Sequence, residues 1–272
     1  MDAFTPATAP AFERLAHEMA DAARRAVLPY FRGGELSLEN KSSDGFDPVT
    51  AGDRAAETAI REIIAAQRPD DGVLGEEFPP IESKNGLTWV LDPIDGTRAF
   101  MSGIPLWGVL IALFDGDRPR LGLIDQPHIG ERFVGVPDTS APLAMLYDRF
   151  GARPLKTRAC NRLETATLFT TSPALFNAGS ERAAYDKVEA SVRLARYGAD
   201  CYGYAMVAAG QADLVVEAGL AAYDVQAPIA LVEAAGGVAT DWRGGPAHHG
   251  GRIVAAGDRE LHAQALALLS DA

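Results

Sequence analysis

The chain has 272 residues, 47% hydrophobic and 23% charged, with 27 Gly and 17 Pro, an ordinary globular composition that excludes a disordered or fibrous chain. Lys plus Arg number 25 against 37 Asp plus Glu, a formal charge of −12. That balance disfavours nucleic acid and anionic membranes as partners, so an anionic substrate needs local positive charge from helix N-termini, a few Arg or metal ions.

In chain order, Phe12, Leu15, Met19, Ala22, Ala26 and Val27 recur at helical spacing and predict an amphipathic helix that stops at Pro29. Glu35 to Gly45 is polar and Gly-containing and reads as a hairpin or loop. Thr50 to Gln67 reads as a second helix and Thr88 to Leu91 as a short strand ending at Asp92-Pro93. Trp107 to Phe114, Leu121 to Asp125 and Arg132 to Val136 read as strands of an antiparallel meander. After Pro137 strands and helices alternate: strand 168–171, helix 181–190, strand 192–195, helix 202–209, strand 212–217, helix 225–235 and helix 259–269. The expectation is an α/β protein with an N-terminal lobe over 1–140 and a C-terminal lobe over 141–272, the boundary lying near Pro137 to Pro154.

Cys160 and Cys201 are too few for a disulfide scaffold and suit a reducing cytosol. The N-terminus has no basic-then-apolar leader. The longest apolar run, Val109 to Phe114, falls far short of the roughly 20 residues a membrane span needs. These features predict a soluble, cytoplasmic protein.

The chemistry is concentrated in Trp89-Val-Leu-Asp92-Pro-Ile-Asp95-Gly-Thr97. An apolar strand delivers Asp92 at its end, where α/β folds place ligands, and Asp95 follows three residues later. Two carboxylates on one tight turn can flank divalent cations, and Gly96-Thr97 at a helix start offers N–H groups to a phosphate. Asp-Pro and Asp-Gly are also ordinary turn makers; the full string after a buried strand is harder to read as a turn alone. Glu76 and Glu77 follow another strand end at Val73-Leu74. Thr50-Ala-Gly-Asp53 matches a capping box, and Asp224, alone, reads as readily as an N-cap. Together these acids have the hard oxygen character that Mg²⁺ requires, and no His/Cys zinc pattern competes. His248-His249 in a Gly-rich loop reads as solvent-exposed.

Gly75-Glu76-Glu77, Asp92-Pro-Ile-Asp95-Gly-Thr97, Asp224-Val225 and Asp53 resemble the signature of the inositol-monophosphatase family of Mg²⁺-dependent phosphatases, in an order that runs from about Ala11 to Leu269. The resemblance implies a layered α/β/α/β/α sandwich, a homodimer and two or three Mg²⁺ ions. It implies that Glu76, Asp92 and the Ile94 carbonyl hold one ion, that Asp92, Asp95 and Asp224 hold a second, and that Glu76 helps with a looser third. Thr97 and Asp53 would orient and deprotonate the attacking water, and the Gly96 and Thr97 N–H groups would hold the phosphate. The implied reaction is in-line attack of water on a small phosphomonoester.

Within that family, Asp95-Gly-Thr-Arg98-Ala-Phe100, Gly122-Leu-Ile-Asp125-Gln126-Pro127, Gly130-Glu131-Arg132, Asp200-Cys-Tyr-Gly-Tyr204 and Tyr223-Asp224-Val225 look like the histidinol-phosphatase branch of histidine biosynthesis. Histidinol phosphate carries an ammonium and an imidazole, so its pocket should hold carboxylates away from the metals. Family correspondence puts Asp200 and Glu217 on the leaving-group side, with Arg98 as a further substrate-side residue. Glu217 also faces the polyol in inositol phosphatases, and Asp200 reads equally as a helix cap before Tyr202. An inositol monophosphatase, a phosphatase of sugar or nucleotide phosphates, and a non-catalytic metal- or phosphate-binding homologue are the alternatives.

Overall fold

The computed structural model describes residues 3–33, 38–40, 48–137 and 142–270. In chain order they form α1 (Ala9–Val27), β1 (Leu38–Asn40), β2 (Pro48–Thr50), α2 (Ala51–Gln67), β3 (Gly72–Gly75), β4 (Thr88–Asp95), α3 (Thr97–Met101), β5 (Gly108–Phe114), β6 (Pro119–Gln126), β7 (Glu131–Val136), β8 (Leu143–Asp148) and β9 (Gly151–Pro154). Then follow β10 (Thr167–Thr170), α4 (Ser180–Ser191), β11 (Leu194–Tyr197), α5 (Cys201–Ala208), β12 (Leu214–Leu220), α6 (Ala222–Ala234), β13 (Val238–Thr240), β14 (Gly251–Ala256) and α7 (Arg259–Leu269). The capping side chain read at Thr50, and 35–37 and 41–45 of the expected loop, lie outside the described residues; β1 and β2 pair antiparallel.

Strand alternation builds the layers. In β4 and β5, Trp89, Leu91, Val109, Ile111 and Leu113 join the core under α1 and α2, while Val90, Leu110 and Ala112 join the core shared with α5 and α6. Both faces are buried, so β5 reads as an unbroken apolar run. The seven-stranded sheet has the order β3-β4-β5-β6-β7-β8-β9, with β3 parallel to β4 and the rest antiparallel. The five-stranded sheet has the order β11-β10-β12-β14-β13, with β10 parallel to both neighbours. A third core lies between this sheet and α4 and α7. The result is the expected α/β/α/β/α sandwich: α1 and α2, the large sheet, α5 and α6, the small sheet, α4 and α7.

Helix α6 lies close against the large sheet because Gly122 and Gly135 face it. A Cβ on Gly122 would fall 2.2 Å from the Ala227 carbonyl oxygen, and one on Gly135 2.5 Å from the Leu231 Cα. On the other face, buried Asp125 ties α1 to the sheet by accepting from Arg24 Nη2 (2.6 Å) and Arg132 Nε (2.7 Å).

Several strands differ from the expectation. The meander continues through β8 and β9, whose weaker alternation and exposed β9 carry little periodic signal. β11 starts at Leu194 rather than Val192, set by parallel pairing with β10. β13 and β14 are absent from the sequence reading; β14 pairs with β12 and β13 with β14, tertiary contacts that local periodicity does not encode. His248 is half-buried rather than exposed. Its ring lies tilted against Phe114, centroids 5.3 Å apart, and its carbonyl accepts from Gln226 Nε2 at 2.9 Å. Both cysteines are free. No helix among the described residues is long and apolar enough to cross a membrane.

Candidate active site

The strand expected to stop at Asp92-Pro93 runs on to Asp95, and the difference explains the site. Pairing of β4 with β3 ends at Leu91, opposite Gly75, so Pro93 interrupts no ladder bond to β3. Pairing with β5 shifts register between Asp92 and Asp95. In a regular strand, residues three apart face opposite sides; the irregularity returns Ile94 to the core under α1 and α2 and turns both carboxylates toward the middle layer. Asp92 Oδ1 accepts from the Ile94 N–H at 3.0 Å, and the Ile94 carbonyl accepts from Thr97 Oγ1 at 3.1 Å. Gly96 then makes the turn with φ 88°, a left-handed conformation, and a Cβ there would come 3.0 Å from the Leu106 carbonyl oxygen. Thr97 opens α3.

Asp92, Asp95 and Asp224 each offer a ligand atom, all within 4.8 Å of one another. Asp224 sits in the first turn of α6 and also caps it, accepting from the Ala221 N–H at 2.6 Å. Asp95 accepts from the Cys201 N–H at the start of α5, also at 2.6 Å. A carboxylate has about four lone-pair sites, so neither bond exhausts its acceptor. Burial, then the charges of Glu76, Asp95, Asp224 and Asp53, hold the Asp92 carboxyl well above the usual carboxylate range. Burial, then Asp200 and Asp224, do the same to Asp95 against the opposing Cys201 bond. The structure therefore brings Asp53 on α2 and Glu76 after β3 within electrostatic reach of Asp92. A partly buried oxygen-only set whose members repel one another fits a hard divalent cation, whose charge would let them all ionise.

A cavity of about 120 Å³ adjoins this cluster. Asp95 and Asp224 line it together with Asp200, Glu217, Thr171 and Tyr204. Glu217 is buried and accepts three hydrogen bonds, which leaves one lone-pair site on Oε2. Its Oε1 accepts from Thr171 N (2.8 Å) and Oγ1 (2.6 Å), and its Oε2 from Tyr204 Oη (2.9 Å). Burial still pushes it up to about 7, with the Asp200 charge adding to the shift. Asp200 occupies the N-cap position of α5 with φ 47°, but its side chain makes no cap bond. It meets the Thr171 hydroxyl instead. Burial raises it to about 6, against the lowering effects of Thr171 and the Arg98 charge. The cap reading of Asp200 is thus set aside: the Tyr202 and Gly203 N–H groups that a cap would receive go to the Ala199 and Asp200 carbonyls, while the Cys201 N–H goes to Asp95. One hydroxyl hydrogen serves only one carboxylate at a time, so Thr171 cannot satisfy Glu217 and Asp200 together. Arg98 is exposed on α3 and is not among the residues lining the cavity; it acts on Asp200 through its charge.

Thr171 and Tyr204 carry no site role in the sequence reading. The strand-end rule that singles out Asp92 would also have flagged Thr171, which follows directly on β10. Nothing in the sequence pairs Tyr204 with Glu217, since they meet only through packing of α5 on β12.

The sequence profile of the inositol monophosphatase family matches residues 11–272. The chain is 39% identical to the bifunctional phosphatase IMPL2 of Arabidopsis thaliana, over 94% of this chain and 74% of that protein. It is 38% identical to the histidinol-phosphatase of Chlorobaculum parvum, over 85% and 86% respectively. Among solved structures, an inositol monophosphatase from Zymomonas mobilis superposes with a TM-score of 0.81 at 40% identity, covering 94% of this chain and 96% of that one.

Proposed function

The chain belongs to the inositol monophosphatase family of metal-dependent phosphatases, and within it we propose a Mg²⁺-dependent enzyme that hydrolyses L-histidinol phosphate to L-histidinol and phosphate. The observation that carries this reading is the shared cavity: Asp95 and Asp224 of the acidic cluster line it together with two further carboxylates, Asp200 and Glu217. A ligand with a phosphate for the cations and an ammonium or imidazole for the remaining carboxylates matches that lining. Substrate with only neutral hydroxyls gives Asp200 no cation to meet.

Glu76, Asp92, the Ile94 carbonyl, Asp95 and Asp224 would hold the cations. Bound Mg²⁺ supplies positive charge that stabilises the attacking and leaving oxygens of an in-line displacement. The Gly96 and Thr97 N–H groups would receive the phosphate oxygens. Thr97 Oγ1 gives its hydrogen to the Ile94 carbonyl, which leaves its lone pairs to accept from water and orient it. Asp53 would take the proton. Asp200 and Glu217 would accept from the cationic groups of the leaving alcohol. In the proposed division, 1–140 supplies most metal ligands and 141–272 completes the pocket.

An inositol monophosphatase remains the second reading, favoured by the Zymomonas mobilis structure and by a Glu217 that suits a polyol hydroxyl as well as a cation. Phosphate release from histidinol phosphate, measured with Mg²⁺ and after chelation, tests the proposal. Release that needs Mg²⁺ supports it, and absence of release at saturating substrate contradicts it.

A further inference from the structure

Glu57 is fully buried on α2, one turn after Asp53, and the roles above do not use it. With Arg61 another turn on, the three residues share one helix face. Glu57 Oε1 accepts from Arg61 Nε at 2.7 Å, and Oε2 accepts from the Glu77 N–H at 2.8 Å. Arg61 Nη2 donates to the Phe78 carbonyl at 3.1 Å. The pair thus grips 77–78 through both an amide and a carbonyl. The contact is close: a Cβ on Gly75 would lie 2.0 Å from Glu57 Oε1. Glu76 sits between these contacts.

The other side of the same segment is β3, whose register with β4 ends at Gly75 opposite Leu91. Glu76 therefore leaves the sheet beside Asp92, and its charge acts on the Asp92 carboxyl. Two like charges at that separation repel, and the segment holding Glu76 needs an anchor that resists the repulsion. We infer that Glu57 is a positioning residue that seats Glu76 against Asp92 for cation binding. The inference rests on the reading of Glu76 as a metal ligand. A carboxylate suits the task because it accepts from both Arg61 and Glu77; an amide in its place turns a donor toward one of them.

Mn²⁺ binding to the full chain, followed by calorimetry without substrate, tests this on wild type, Glu57→Gln, Gly75→Ala, Glu76→Gln and Asp213→Asn. Residues that orient metal ligands typically change affinity about 10- to 100-fold when replaced, and that weakening is expected for Glu57→Gln. Gly75→Ala, whose Cβ would push the Glu57 carboxylate out of its place against Arg61, disturbs the same anchor from the strand side, should weaken binding in the same direction and covers the case of a poorly folding Glu57→Gln. Asp213→Asn breaks another ion pair of a buried carboxylate, with Arg158 at 2.6 Å, away from the cluster, and should bind Mn²⁺ as wild type does. Weak binding by Glu76→Gln with wild-type binding by Glu57→Gln and Gly75→Ala overturns this inference alone. Equal weakening by Asp213→Asn also overturns it, because the effect is then one of stability. Wild-type binding by Glu76→Gln overturns the ligand reading and this inference with it.

Discussion

Asp200→Asn should separate substrate charge from fold. The position has φ 47° and ψ −134°, where Asn has the same backbone and side-chain shape as Asp, and the side chain caps nothing, so the backbone loses little. What goes is a charge facing the cavity. Hydrogen bonds to charged groups contribute about 1.5–3 kcal/mol, or roughly 10- to 150-fold in kcat/KM. The opposing Arg98 charge and the half-exposed setting put the expected loss on histidinol phosphate near the lower end, about tenfold. Glycerol phosphate, with no cation, should be hydrolysed as before. With Asp200 raised to about 6, wild-type preference for the cationic substrate should fade as pH falls through that value. The ratio of the two substrates cancels the titration of the phosphate they share. Equal losses on both substrates would refute the reasoning and assign Asp200 to the fold or the metal cluster.

Asp92→Asn should nearly abolish turnover and remove the rise in melting temperature that Mg²⁺ gives wild type, read by calorimetric scans with and without chelator. Thr97→Ala should lower kcat by about 100-fold or more with little change in KM, since the N–H groups remain; unchanged kcat with weaker binding would restrict Thr97 to a binding role. Glu217→Gln bears on stability. Its carboxyl is raised in the fold from 4.5 to about 7, so the protonated form is favoured there; the penalty is absent below about pH 4.5, grows as pH rises to about 7 and is constant above. At about 1.4 kcal/mol per pH unit, the variant should be more stable than wild type by up to about 3 kcal/mol at pH 8, and no more stable near pH 4. Denaturant titrations at the two pH values would count against this if the variant were equally destabilised at both.

Periodicity carries much of the fold. The two buried faces of β5 and the stripes of α1 and α2 are local patterns and are legible in order. β13 and β14 are not, because the pairing of β14 with β12 and of β13 with β14 is tertiary. The acidic cluster was legible as residue types, but its geometry was not. Asp92 and Asp95 reach one face through a strand irregularity rather than a tight turn, and Pro93 is accommodated where the pairing with β3 has ended. Asp224 shows that a cap and a cluster position are compatible, because one carboxylate serves both. Asp200 shows the opposite case. It stands at a cap position, but the N–H groups a cap would receive go to the Ala199 and Asp200 carbonyls, and the Cys201 N–H goes to Asp95, 105 residues away in the chain. Glu57 escaped notice because a buried acid at helical spacing beside Arg61 reads as an ordinary i,i+4 ion pair.

The central claim is a preference for a phosphomonoester whose alcohol is cationic, and a direct competition measures it. L-histidinol phosphate and inositol 1-phosphate are offered together to the Mg²⁺-loaded protein, and the ratio of their kcat/KM values is read from the two alcohols released. The cavity carboxylates Asp200 and Glu217 predict a ratio well above one in favour of histidinol phosphate, falling when Asp200 is replaced by Asn. A ratio at or below one would contradict the account.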